Sequence, residues 1–232
     1  MRIEVIRHVP YIFYGNLEPW IKKWGADVWE KRFFQGSQFP EQEPPDLCIV
    51  LGGPMGVCDK DRYPWLLSEM RFLEQRLKEG TKILGICLGA QLFAEILGAK
   101  VSKANEPEVG WHDVSLVSGV QEKHQLFKEL PKVWKTFHWH NDVFDIPSGA
   151  ERIFESKAHA NQGYLYNQQL LALQFHPEMN EEGAKNLMWR FGSSLDLTRP
   201  WVQSLDEMKA GFVHQCKNVS ILESLMDRLI DT

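Results

Sequence analysis

The run Lys82-Ile83-Leu84-Gly85-Ile86-Cys87-Leu88-Gly89-Ala90-Gln91-Leu92 restricts the fold more than any other stretch. An apolar segment enters Gly-x-Cys-x-Gly, and apolar residues then recur at helical spacing from Ala90 to Leu97. This reads as a strand, a tight turn and a helix, with a thiol at the turn. Glycines beside a nucleophile let the backbone bend sharply and keep bulk away, as in the Gly-x-Ser-x-Gly elbow. The helix beginning at Leu88 aims unpaired N–H groups and its positive dipole end at the sulfur. Helix N-termini of this kind favour a thiolate. A lone cysteine among apolar neighbours is also a common small buried hydrophobe. Reading Cys87 as a nucleophile therefore turns on a base and an oxyanion site elsewhere in the chain.

The flanking sequence repeats the strand–helix alternation. Residues 2–7 read as a first strand, and Leu17, Trp20, Ile21 and Trp24 lie at helical spacing up to Gly25. Asp27 to Phe34 reads as a second strand, and 35–45, with Pro40, Pro44 and Pro45, as a loop. The continuous apolar run Asp46 to Leu51 ends in Gly52-Gly53-Pro54, as a buried parallel strand does. Pro64 to Leu77 is an amphipathic helix that stops near Gly80. This alternation through residue 98 predicts a parallel sheet with helices on both faces. Beyond it, strands are expected at 110–117, 133–138, 150–155, 163–166 and 170–175, with one helix at 121–130. They form an antiparallel extension, and 170–175 returns to the main sheet. From Glu181 the chain is helical again, with apolar stripes at Trp201, Leu205, Met208, Phe212 and at Leu222, Leu225, Leu229. These stripes are expected to pack on the parent domain, with a subunit interface, such as a homodimer, as the alternative.

The bulk numbers exclude several classes. With 232 residues, 44% hydrophobic and 25% charged, the chain has the makeup of a soluble α/β domain. A net charge of −5 with no block of Lys or Arg gives no footprint for nucleic acid or an anionic membrane. No apolar run reaches the roughly 20 residues of a membrane span, and the charged N-terminus is no signal peptide. The four cysteines, 48, 58, 87 and 216, show neither a zinc spacing nor a disulfide framework, so a cytoplasmic location is expected. Nine tryptophans are assigned to packing rather than to base stacking. Cys48 is read as core.

Ligands of open α/β sheets bind beyond the carboxyl ends of the strands. Three such ends carry distinctive residues: Gly52-Gly53-Pro54-Met55-Gly56, Cys87, and Gln174-Phe175-His176-Pro177-Glu178. His176 can serve the thiol as general base, with Glu178 fixing its tautomer. Backbone N–H groups of the Gly52–Gly53 loop and of Leu88 can hold an oxyanion. Cys-His-Glu with such a hole is a device for acyl transfer. Each part has a plain structural alternative, but the three together at three strand ends favour the catalytic one.

These segments resemble the three signatures of the class I, triad-type glutamine amidotransferases. Glu108-Val109-Gly110-Trp111 and His138-Trp139-His140-Asn141-Asp142 also resemble segments of that family, and the likeness spans about residues 1–190, nearest to stand-alone proteins similar to the amidotransferase domain of GMP synthase. The resemblance implies a flavodoxin-like fold: a mainly parallel central sheet flanked by helices, a small antiparallel extension and C-terminal helices. It divides the chain into an amidotransferase-like domain at 1–190 and a helical extension at 191–232 packed on it. It also implies hydrolysis of the glutamine side-chain amide with release of ammonia, without a cofactor. By position, Cys87 would be the nucleophile, His176 the acid–base, Glu178 its orienting partner, and Gly53 and Leu88 the oxyanion donors. Gln91, His140, Asn141 and Asp142 would grip the substrate. No synthetase domain follows Arg190, so an ammonia acceptor would belong to a separate synthetase chain. A γ-glutamyl peptidase acting on γ-glutamyl conjugates is the alternative enzyme, and a non-catalytic regulatory protein the alternative class. His138 and His140, two apart on a strand, lack a third ligand in the sequence, so no metal is expected. His8, at the tip of the first strand, either lines the cleft or simply ends the strand.

Overall fold

The computed structural model describes residues 1–36 and 43–231. Pro40 of the expected proline loop lies outside the described residues. The N-terminal half runs β1 (Arg2–Ile6), α1 (Leu17–Lys23), β2 (Asp27–Lys31), β3 (Leu47–Val50), α2 (Trp65–Lys78), β4 (Lys82–Ile86) and α3 (Leu88–Ile96). There follow β5 (Val101–Leu116), α4 (Val120–Lys123), β6 (Val133–Phe144), β7 (Ala150–Ser156), β8 (Gly163–Tyr166) and β9 (Leu170–Leu173). The chain ends in α5 (Glu181–Phe191), α6 (Leu205–Ala210) and α7 (Gln215–Asp231). Among the described residues the strands form one sheet of order β2-β1-β3-β4-β9-β8-β7-β5-β6. β2, β1, β3, β4 and β9 are mutually parallel; β9 onward is antiparallel. The return of 170–175 to the main sheet is thus present, and β9 is the strand at which the two halves meet.

β3 and β9 are buried along their whole length, which is why their sequences are unbroken apolar runs. Alternate residues feed two layers. Leu47 and Ile49 join Leu17, Trp20 and Leu84 on one face; Cys48 and Val50 join Leu66, Leu73 and Phe93 on the other. Leu222, Leu225 and Leu229 of α7 are fully buried in the first layer beside Trp20 of α1. A third cluster holds Trp111 and Phe137 against Met188 of α5 and Met208 of α6.

Within β1, Glu4 is fully buried and accepts from Arg76 Nε at 2.9 Å and Trp29 Nε1 at 3.1 Å, with Lys31 Nζ at 3.4 Å. Four expectations shift. The second strand stops at Lys31, and residues 33–35 turn as a short 3-10 helix. The expected helix at 121–130 is only α4 followed by a 3-10 turn at 125–127. Trp201 is not on a helix with Leu205; its carbonyl accepts from Val109 N–H at 2.8 Å, and α6 starts later, at a capping box of Ser204 and Glu207. β5 and β6 also run further than the expected 110–117 and 133–138, and their far ends reach the cleft described next. No helix among the described residues is long and apolar enough to cross a membrane.

Candidate active site

Cys87 sits between β4 and α3 with φ 52° and ψ −106°, a backbone region rarely used by residues with a Cβ. Two hydrogen bonds clamp it there. Its N–H donates to Leu173 O on β9 at 2.7 Å, and its carbonyl accepts from Gln91 N–H at 3.0 Å. The flanking glycines have a different task from the one their spacing first implies. Neither Gly85 nor Gly89 has a positive φ. A Cβ on Gly89 would lie 2.3 Å from the Val50 carbonyl oxygen, and one on Gly85 would lie 3.1 Å from the Gly89 carbonyl. They allow α3 to lie on the sheet, and the cysteine itself makes the sharp bend.

His176 leaves the end of β9 and donates its N–H to Phe137 O at 2.8 Å. Its Nδ1 donates to Glu178 Oε1 at 2.7 Å. Its Nε2 makes no regular hydrogen bond and is buried on the side of the thiol. The two side chains share Gly52 as a neighbour: a Cβ there would lie 3.1 Å from His176 Cε1 and 3.5 Å from Cys87 Cβ. Burial disfavours the imidazolium, but the Glu178 carboxylate and then the Cys87 sulfur outweigh it, and the His176 pKa is pushed up to about 10. Among the described residues, no backbone hydrogen bond engages the N–H of Gly53 or of Leu88. Both belong to the segments that flank the sulfur.

These groups open into a cleft of about 400 Å³. Gln91 lines it, and its Nε2 donates to Gln174 Oε1 at 3.2 Å. His140, Asn141 and Asp142, on the extended part of β6, form another side. Asp142 pairs with Lys103 Nζ at 2.8 Å. The wall farthest along the chain comes from Leu187, Phe191, Leu195 and Val202, with Ser194 and Asp196 among them. Cys87, the buried His176–Glu178 pair and Gly53 thus line one cleft, and Leu88 follows Cys87 as the first residue of α3.

The sequence profile of the family described as glutamine amidotransferase class-I matches residues 25–191. The chain belongs to this family. A glutamine amidotransferase-like protein of Salmonella typhimurium, YfeJ, is 26% identical over 216 residues, covering 90% of each chain. A glutamine-hydrolyzing GMP synthase subunit of Sulfolobus acidocaldarius is 33% identical over 137 residues, covering 58% of this chain and 68% of its own. The crystal structure of a glutamine amidotransferase from Thermotoga maritima superposes with a TM-score of 0.89 at 30% identity, covering 100% of this chain and 98% of that one. The fold is accordingly the α/β fold of class I glutamine amidotransferases, with a mixed sheet.

Three groups at this amidotransferase cleft were not legible as site residues. Gly15 and Asn16 hold the His176–Glu178 loop from behind. Asn16 N–H donates to Glu178 O at 2.7 Å, and its Nδ2 donates to Pro177 O at 2.9 Å and Met179 O at 3.0 Å. A Cβ on Gly15, which has φ 56°, would lie 2.0 Å from Glu178 O. Lys103 reaches the cleft because β5 begins well before its apolar part, in a segment with no apolar alternation to announce it. Fold contact also supplies what His138 and His140 lack in sequence. Glu108 brings an oxygen to them, and one ligand atom from each of the three lies within 4.8 Å of the others. That Glu108 Oε2 already accepts from His140 Nε2 and Ser156 Oγ, both at 3.2 Å, and from Gln162 Nε2. His138 Nδ1 lies 3.4 Å from the same oxygen, while both of its ring nitrogens and Glu108 Oε1 are buried without a regular hydrogen bond. Despite burial, His138 and His140 hold the Glu108 carboxyl well below the usual carboxylate range, and burial pushes His138 down to about 4. His8 does not line the cleft; it is buried beneath the Gly52–Gly53 loop.

Proposed function

We propose that this amidotransferase hydrolyses the side-chain amide of glutamine through Cys87 and releases ammonia. The observation that carries the reading is the convergence of Cys87, at the N-terminus of α3, with the His176–Glu178 pair in one cleft. His176, holding the thiol proton, leaves a thiolate to add to the amide carbon. The carbonyl electrons move onto oxygen, which the Gly53 and Leu88 N–H groups receive. As the oxyanion collapses the C–N bond breaks, His176 gives its proton to the departing nitrogen, and ammonia leaves a γ-glutamyl thioester. Water then adds to the thioester, giving a proton back to His176, and the second collapse frees glutamate and the thiolate. Glu178 holds the imidazole in the required orientation and favours its charged form. Gln91, His140, Asn141 and Asp142, which line the cleft, are the substrate-binding groups, and Asp142 suits an α-ammonium. The likeness to a GMP synthase subunit favours delivery of the ammonia to an acceptor on a separate chain.

One observation favours a second reading. The largely apolar wall of Leu187, Phe191, Leu195 and Val202 suits the second residue of a γ-glutamyl conjugate. The acyl group attacked is the same in both cases, and only the leaving group differs.

Intact-mass measurement after exposure to a diazo-ketone analogue of glutamine tests the common core. A single adduct is expected, absent from Cys87→Ala. Parallel assays of ammonia release from glutamine and amine release from γ-glutamyl peptides then separate the two readings. Cys87→Ala turnover close to wild type in both assays sinks the mechanism.

A further inference from the structure

The loop that carries Gly53 is held by two fully buried side chains outside the cleft. His8, just past β1, places Nδ1 3.1 Å from the Gly52 carbonyl oxygen and Nε2 2.7 Å from Glu69 Oε1 on α2. Both side chains are 0% exposed. A carbonyl only accepts, so His8 Nδ1 carries a proton and donates. The Glu69 carboxylate facing the other ring nitrogen likewise accepts, so the ring donates from both nitrogens as an imidazolium. Burial opposes the charged form of His8, but the Glu69 carboxylate outweighs it and the His8 pKa is raised.

The peptide that joins Gly52 to Gly53 is planar and trans, so its C=O and N–H point in opposite directions. A hydrogen bond that fixes the Gly52 carbonyl therefore fixes the direction of the Gly53 N–H. Packing adds to the constraint. A Cβ on Gly53 would lie 2.9 Å from His8 Cβ and 2.9 Å from Leu88 Cδ2. The peptide is thus wedged between the histidine beneath it and the first residue of α3. Glycine at 53 also brings wide backbone freedom, so without an anchor the amide has other directions open to it.

We infer that His8 and Glu69 are positioning residues that aim the Gly53 N–H at the oxyanion. This rests on the amide-hydrolysis reading above. Neither residue touches substrate, and they act through one peptide plane. Losing an oxyanion donor typically slows turnover by about 100-fold or more.

The test compares wild type, His8→Asn and His8→Leu in three measurements. Asparagine keeps an N–H donor close to the place of Nδ1, and leucine has none. For His8→Leu, kcat should fall about 100-fold with KM within about threefold; His8→Asn should stay within about 10-fold of wild type. The diazo-ketone alkylates Cys87 without building a tetrahedral oxyanion, so its rate should stay within about threefold in both variants. A γ-glutamyl aldehyde forms a thiohemiacetal whose oxygen needs the hole, so its affinity should fall in step with kcat. If His8→Leu does not fold, imidazole 15N spectra of the wild type decide: Nδ1 of His8 must be protonated at pH 7, and an unprotonated Nδ1 overturns the assignment. His8→Leu with kcat within about threefold of wild type also overturns it. So does an equal loss of alkylation and aldehyde binding, which would place the effect on the thiol. A wild-type protein that is neither alkylated nor active on glutamine or γ-glutamyl peptides overturns the underlying reading, which separates that failure from this one.

Discussion

Cys87 bears a conformation that costs a residue with a Cβ about 1–3 kcal/mol, and the fold supplies the restraint. The Leu173 and Gln91 hydrogen bonds leave its peptide groups no alternative direction. What the strain achieves is placement, since the sulfur stands at the start of α3, lining the cleft that His176 also lines. A structural cysteine needs none of this and would sit as well at an ordinary φ. The strain makes a prediction that separates side-chain from backbone roles. Cys87→Gly and Cys87→Ala should both lack turnover, yet glycine occupies φ 52°, ψ −106° without penalty and alanine does not. Cys87→Gly should therefore be more stable than Cys87→Ala by about 1 kcal/mol, or roughly 2–4 °C in melting temperature for a chain of this size. Equal melting temperatures, or a less stable glycine variant, would show that the backbone at 87 is unstrained. That Cys87, His176 and Glu178 would share one cleft was legible because each follows a buried strand, with glycines two residues either side of Cys87 and Pro177 between the other two. His8, Glu69, Gly15 and Asn16 were not, because each acts through a hydrogen bond or close contact with a group far away in sequence.

At the scale of elements, the site depends on how closely α3 lies on the sheet. The missing side chain at Gly89 is what permits that approach, since a Cβ would meet the Val50 carbonyl on β3 at 2.3 Å. Backbone cannot yield as a flexible side chain can. Gly89→Ala should therefore push α3 away from β3, destabilise the protein by about 1–3 kcal/mol, and reduce alkylation of Cys87 by the diazo-ketone. Gly85→Ala, whose nearest atoms lie at 3.1 Å, should be milder. Urea midpoints for the two variants check the order, and a Gly89→Ala protein as stable as wild type would mean the helix has slack. The parallel half of the sheet was readable because strands covered on both faces write continuous apolar runs, as Leu47–Val50 and Leu170–Leu173 do. The outer hairpin was readable only where it is covered. The first half of β5 carries Lys103, Asn105, Glu106 and Pro107, and the end of β6 carries Asn141 and Asp142. Residues there serve the cleft or solvent, so no apolar period marks them as strand. The stop of β2 at Lys31 and the short α4 are losses of another kind, because apolar residues continue past both ends into 3-10 turns.

For the molecule as a whole, the buried histidines set how stability responds to acid. Four of the eight histidines lie ring against ring, His112 beside His138, His138 beside His140, and His140 beside His159. Burial pushes His138 down to about 4 and lowers His159 as well, so both resist protonation in the folded protein. The unfolded chain binds these protons near the ordinary value of 6.5. Below 6.5 the unfolded state therefore carries more protons than the folded one, and stability is lost as pH falls toward 4. His8 and His176 have the opposite sign. Their pKa values are raised, so their contribution is complete below 6.5 and disappears only as pH climbs through the folded value, about 10 for His176. Between about pH 6.5 and 5 the two raised histidines oppose the loss only by the small gain left as the unfolded chain finishes binding their protons near 6.5, and carboxylates contribute little. The fall in that window belongs to His138 and His159. At about 1.36 kcal/mol per pH unit and proton, His138 alone accounts for about 2 kcal/mol. Urea unfolding at about pH 7.5, 6.5, 5.7 and 5.0 should show this loss, and His138→Gln, which has no proton to refuse, should lower the slope and leave the smaller part due to His159. Stability that is flat or rising from about pH 6.5 to 5 would mean that the folded protein takes up these protons after all, with the Glu108 carboxylate holding His138 as an imidazolium.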